Sequence, residues 1–178
     1  FYNSVEDPFT KKDARLWGTV IYPNAPYRQS PVILQAGQLN KSGNAYVLRT
    51  SSVGGRDAQG NLITSINGPV ANSDNFVNKT GFLVRKFVDE TPNAGLNPLF
   101  SEMWWPRFRI AEAYLIAAEA AFELGDKTKA VTHLNATRKR GGIQSLTAEK
   151  VTFEHIVNEY RVEFAFEDHR LWDLKRWR

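Results

Sequence analysis

The chain of 178 residues contains no cysteine. That absence excludes disulfides, a thiolate metal site and a cysteine nucleophile together. No run of about 18 apolar residues occurs, so no segment is long enough to span a bilayer as a helix. Catalytic signatures are missing too: there is no G-x-S-x-G, no phosphate-binding glycine loop and no dinucleotide fingerprint. No large excess of one charge exists. The formal net charge of +4 is mildly basic and does not by itself imply a nucleic-acid partner. No signal peptide is visible, the chain opens on Phe1 rather than Met, and it stops at Arg178 inside a predicted helix. It reads as a fragment.

What is present is a packed protein. Aromatic residues make up 12% of the chain, which argues against disorder, and the length allows one domain with a sizeable core. The stretch that organises the rest runs from Arg107 to Arg178. Ile110, Tyr114, Ala117, Ala118 and Ala121 recur at helical spacing, with Pro106 at a first-turn position and Gly125 at the stop. Asp126 can cap a second helix carrying Ala130, Val131, Leu134 and Ala136, which ends at Gly141-Gly142. A connection as short as Leu124-Gly125-Asp126 makes these two helices antiparallel neighbours. The alanines remove side-chain bulk, so the backbones can approach closely. Gly125 followed by Ala130 and Leu134 is the pattern of a tetratricopeptide (TPR) hairpin, in one copy. A lone hairpin cannot bury its own face, so it must pack on other sequence.

Three motifs in this stretch carry a resemblance. Arg109 to Ala120 reads RIAEAYLIAAEA, Leu134 to Gly142 reads LNATRKRGG, and Glu159 to Trp177 reads EYRVEFAFEDHRLWDLKRW. In that order and spacing they resemble the signatures of the SusD/RagB family, the surface glycan-binding lipoproteins of Bacteroidota. Two shorter matches precede them: Thr80-Gly81 to Phe87 resembles a family strand, and Asp13-Ala14-Arg15-Leu16 resembles its D-x-R-L. The chain departs from the pattern at Tyr160, where the family usually has Arg, and at Asp168, where it usually has Gly. The resemblance implies a mainly α fold of TPR-like helical hairpins, an α/α superhelix. It also implies a lipid-anchored protein on the outer-membrane surface, its lipidated N-terminus absent from this fragment. The implied partners are an oligosaccharide and a SusC-like TonB-dependent transporter. It transfers no specific ligand residue, because sugar contacts in the family lie in variable loops.

Before Arg107 the chain is irregular and β-poor. Leu16 to Tyr22 is β-branched and aromatic and reads as a strand ended by Pro23, with Val32-Ile33-Leu34 a short second strand. From Gln35 to Asn78 the composition shifts to Gly, Asn, Ser and Gln and reads as one long loop. Asp57 to Asn61 is a turn, and a calcium loop there would want several carboxylates where only one is present. Gly81 to Asp89 reads as a strand, and Pro92, Asn93, Gly95 and Pro98 break the chain before the helices. We expect one domain over 1–178, with loops and short strands over 1–100 and helices over 101–178.

Among residues that carry chemistry, Glu163 and Glu167 are four apart and share a helix face, so they could serve glycoside hydrolysis. The opposing expectation is a structural charge network of Arg109, Glu112, Arg138, Glu163, Glu167 and Arg170, tying the last helix to the alanine-rich hairpin. Arg161, Arg170 and Lys175 are spaced to neutralise the acids. His155 and Glu159 could share a metal, but no third ligand appears at useful spacing, and no metal or cofactor is expected. The basic residues around Arg138 to Arg140 and Arg170 to Arg178, interleaved with Trp172 and Trp177, have acidic partners on the same helices, which argues against nucleic acid. Sugars need flat rings to stack on and amides or charges to bond their hydroxyls. Trp104, Trp105, Tyr27 and Tyr46 are the candidates for that role. For the tryptophan pair a core reading competes, in which Trp105 staples the helix entry and Trp104 fills the seam between the halves. The expected function is therefore non-catalytic glycan capture. The alternatives are an intracellular TPR-like adaptor binding peptide, and a glycoside hydrolase using Glu163 and Glu167.

Overall fold

The alanine-rich stretch folds into a helical hairpin in the computed structural model, which describes residues 4, 6–67, 81–94 and 101–178. Thr80, the end of the predicted long loop, Gly95 and Pro98 lie outside the described residues. The chain divides into two compact units. One comprises residues 1–11 and 20–102, and the other residues 12–19 and 103–178.

The helical unit contains α1 (Arg15–Thr19), α2 (Ile110–Glu123), α3 (Lys127–Arg140), α4 (Phe153–Glu163) and α5 (His169–Arg176). The α2–α3 turn forms as its residues dictate. Gly125 takes the left-handed conformation at φ 80°, its N–H donates to Phe122 O (3.0 Å), and the Asp126 side chain accepts from Lys129 N (3.0 Å). The entry to α2 differs from the prediction. The helix starts at Ile110 behind an extended Arg109, so Pro106 lies upstream of its first turn.

The buried stripe of α2 also differs. Ala111, Leu115 and Ala118 are buried and Phe122 packs beside them, while Ile110 is 70% exposed and Tyr114 is exposed. Between Ile110 and Phe122 this helix is apolar on nearly every face. Spacing alone therefore cannot choose the stripe, and the partners α3 and α4 choose it. Val131 and Leu134 of α3, with Val151, Ile156, Tyr160 and Phe164, complete the core.

α1 is a correction. The β-branched run from Leu16 to Tyr22 was predicted to be a strand, but only Val20–Ile21 pairs as one (β1). Asp13 accepts the N–H of Arg15 on its side chain (2.9 Å) and that of Leu16 on its carbonyl (2.9 Å), and Thr19 donates its hydroxyl to Arg15 O. A cap at Asp13 outweighs the strand propensity that follows it.

Among its described residues the other unit holds three two-stranded antiparallel sheets: β1 with β6 (Leu83–Val84), β2 (Pro26–Tyr27) with β3 (Ser30–Pro31), and β4 (Gln38–Ser42) with β5 (Ala45–Arg49). Ile21, Ala25, Val32 and Leu34 form its small core, with Tyr22, Tyr27 and Leu83 against it. Val32 to Leu34 is not a strand. Val32 instead exchanges bonds with Ala25 and Asn24, burying Val32 and Leu34 and leaving Ile33 exposed. The predicted loop from Gln35 contains the β4–β5 hairpin, whose two-residue connection places Gly43 at φ 60°. Only Leu83–Val84 of the expected Gly81–Asp89 strand pairs. At Asp57 the carboxylate accepts the N–H groups of Gln59 and Asn61, so the turn forms.

Candidate functional site

Within the helical unit, α4 presents Glu159 and Glu163 one turn apart, and both carboxylates are buried. Burying two like charges is costly unless cations meet them. Arg15 enters from α1 and donates Nη1 to Glu159 (2.7 Å) and to Glu163 (2.8 Å), while Asp13 holds its Nε and Nη2. Arg109, extended at the head of α2, donates Nη1 to Glu163 (2.8 Å), Nη2 to the Glu163 carbonyl (3.1 Å) and a two-pronged pair to Glu167. Arg140 reaches Glu163, and Arg138 reaches Glu159 at 3.5 Å. Four guanidinium groups thus face four carboxylates. Burial pushes the Glu163 carboxyl up, but the bonds from Arg140, Arg109 and Arg15 outweigh it and hold it at about 2.

Gly141 makes room for this arrangement. A Cβ there would stand 2.8 Å from Arg15 Nε and 3.1 Å from Asp13 Oδ1. Its φ of −76° is open to any residue, so space rather than backbone conformation asks for glycine. Asp13, Arg15, Glu159 and Arg140 were not among the network residues named from sequence. The D-x-R-L match was the signal available for the first two.

Two expected members stand elsewhere. Glu112 faces His169 at 3.9 Å, and the Arg170 guanidinium lies over the Trp177 ring at 6.0 Å. Nor do Arg161, Arg170 and Lys175 neutralise the acids. Arg161 donates to Asn158, and Lys175 lies over Trp172. A second knot forms at the far end of α5. Arg176 donates to Glu119 from both Nη atoms, and Trp177 Nε1 donates to the same carboxylate (2.8 Å). Burial first, and the Glu119 charge second, push the Tyr160 hydroxyl upward from its ordinary range.

The other chemical candidates are occupied by structure. His155 Nδ1 accepts the N–H of Thr152 (3.2 Å) in a capping box, and Glu159 belongs to the arginine cluster, so the pair is not set to share a metal. Arg138, Arg140 and Arg176 of the basic segments are engaged with carboxylates.

The aromatic candidates divide between the units. Trp104 is 74% exposed and Trp105 49% exposed, both in the extended approach to α2. An exposure of that size does not fit the core reading of Trp104. Tyr46 lies on β5 opposite Lys41 and is 69% exposed. Tyr27 is half-buried against the core of its unit, with the Arg28 guanidinium 5.3 Å from its ring centre. Among the described residues no helix is long and apolar enough to cross a membrane.

The comparisons with known proteins agree with this architecture. A SusD-like protein of Bacteroides fragilis NCTC 9343 superposes with a TM-score of 0.61 at 27% identity, over 95% of this chain and 28% of its own. A SusD-like carbohydrate binding protein of the same organism superposes with a TM-score of 0.57 at 22% identity, over 99% of this chain and 32% of its own. The chain therefore spans under a third of each relative's length. No curated protein matches it. The family model of the SusD family matches residues 2–178, and the mainly α, TPR-like hairpin fold is the one expected of it. The chain belongs to the SusD family.

Proposed function

We propose that this chain is part of a non-catalytic glycan-capture protein at the cell surface, delivering oligosaccharide to a SusC-like TonB-dependent transporter in the outer membrane, with a lipid on an N-terminus outside this fragment as its anchor. The observation that carries the reading is the family match over residues 2–178. The exposed rings of Trp104, Trp105 and Tyr46 support it, because a sugar's C–H face stacks on such rings without covalent chemistry. Tyr27 would contribute at the margin of its unit's core. In this reading the arginine–carboxylate cluster holds the helical scaffold together, and the whole chain acts as one SusD-like domain.

The hydrolase alternative asks Glu163 to act as a general acid, which needs access to substrate and a raised pKa. Its side chain is 0% exposed and its carboxyl is held at about 2, so that role finds no support.

The test is native electrophoresis through gels carrying soluble polysaccharides, with the Trp104→Ala variant alongside. Retardation by a polysaccharide with no reducing ends released is the expected result. Trp104→Ala is expected to weaken that retardation about tenfold, the scale of one lost stacking contact. Release of reducing ends, or no retardation in any polysaccharide, overturns the reading.

A further inference from the structure

Beside the turn between α4 and α5 lies an open cleft of about 590 Å³, lined in part by Arg161, Phe166, Asp168, Arg170 and Trp172. Three features set it apart. First, its cations are not matched as those of the arginine–carboxylate cluster are. Arg15, Arg109, Arg138 and Arg140 each meet a carboxylate, whereas the hydrogen bond from Arg161 goes to the neutral Asn158. Among the described residues Nη1 of Arg170 is buried without a hydrogen-bond partner. An orphaned guanidinium nitrogen costs free energy, which an acceptor reached by a small rotation of the side chain would recover.

Second, two consecutive-but-one residues of the turn are left-handed without being glycine, Phe166 at φ 63° and Asp168 at φ 60°. For a bulky residue such as Phe that conformation is strained, and strain of this kind concentrates where it holds a side chain in a working position. Here it accompanies a half-exposed Phe166 ring. Third, Trp172 is 66% exposed on the same cleft, with Lys175 over its ring at 5.0 Å. The cleft therefore combines two flat apolar surfaces with two guanidinium groups, and Asp168 is its one carboxylate.

We infer that this cleft binds an anionic sugar, its ring stacked on Phe166 or Trp172 and its carboxylate or sulfate met by Arg161 and Arg170. The ligand class rests on the glycan reading above; the site does not, since none of Trp104, Trp105, Tyr27 and Tyr46 lines it. Asp168 accepts hydrogen bonds from the sugar's hydroxyls, and with two arginines against it the cleft keeps a net positive charge. A volume near 590 Å³ lies within the range of small-molecule sites.

The test measures affinity of the whole chain for three polysaccharides: polygalacturonate (carboxylated), dextran sulfate (sulfated) and dextran (neutral). Arg161→Gln is the principal variant, because its side chain is exposed and the fold does not depend on it. Arg170→Gln runs alongside, with circular dichroism to check folding. Arg161→Gln is expected to weaken binding of one anionic polymer about tenfold, the scale of one charged hydrogen bond. Added salt should weaken that binding. Whichever anionic polymer responds identifies carboxylate or sulfate. Anionic binding that ignores Arg161→Gln overturns the site, as does a preference for dextran, and either leaves the glycan reading intact. Binding to none of the three overturns the site, and the wider polysaccharide panel then judges the glycan reading separately.

Discussion

Glu163 is where single side chains matter most. Three arginines converge on one buried carboxylate. Glu163→Gln leaves them facing a neutral amide and is expected to cost about 3 to 5 kcal/mol in a denaturant titration. Arg140, whose side chain is 59% exposed, should cost under about 1 kcal/mol when changed to Gln, because water already screens it. The pH dependence follows from the depressed carboxyl. Its folded-state value of about 2 lies below the ordinary 4.5, so its stabilisation is present above pH 4.5 and is lost as the pH falls towards 2. In Glu163→Gln the slope of stability against pH over that window should be shallower, and an unchanged slope would remove Glu163 from the account. Gly141→Ala belongs here as well. Its methyl group meets Arg15 at 2.8 Å, and the expected cost is about 1 to 3 kcal/mol by thermal melting.

At the scale of elements, the α2–α3 hairpin shows what patterning can and cannot read. Its helices, its turn and its cap were legible because Gly125 and Asp126 act locally, and local chemistry is written in neighbouring residues. Its buried face was not legible. Ile110 and Tyr114 fit a helical stripe as well as Ala111 and Leu115 do, and packing partners far along the chain decide between them. A paired substitution checks the outcome. Leu115→Ala should cost about 2 to 5 kcal/mol and Ile110→Ala within about 0.5 kcal/mol, each by denaturant unfolding. The β4–β5 hairpin was missed for a related reason. Its Gly43-Asn44 connection is a hairpin signal, but the polar residues around it read as loop. Of the candidate site, the Glu163–Arg109 contact was legible from the motifs. Arg15 stands out in sequence only through the D-x-R-L match and not as a network member, because nothing local at residue 15 tells of Glu159 and Glu163 more than 140 residues away.

For the whole molecule, the helical unit is assembled from two stretches, residues 12–19 and 103–178. Deleting residues 12–19 would remove Arg15, the cation that bridges Glu159 and Glu163. The expected result is loss of a cooperative thermal transition in that unit, followed by the circular dichroism of its helices. A transition unchanged by the deletion would show that Arg15 is dispensable.

Because Arg15 fastens α1 to the α4 carboxylates, residues 20–102 form a segment whose two ends both join the helical unit. The entropy of closing such a loop grows only slowly with its length, so lengthening or rewriting the segment barely changes the stability of the helices. Selection can therefore work on the two parts at different rates. Added residues or a rewritten surface within 20–102 should therefore leave the clasp of Arg15, Glu159 and Glu163 standing, so that one frame can display many different surfaces.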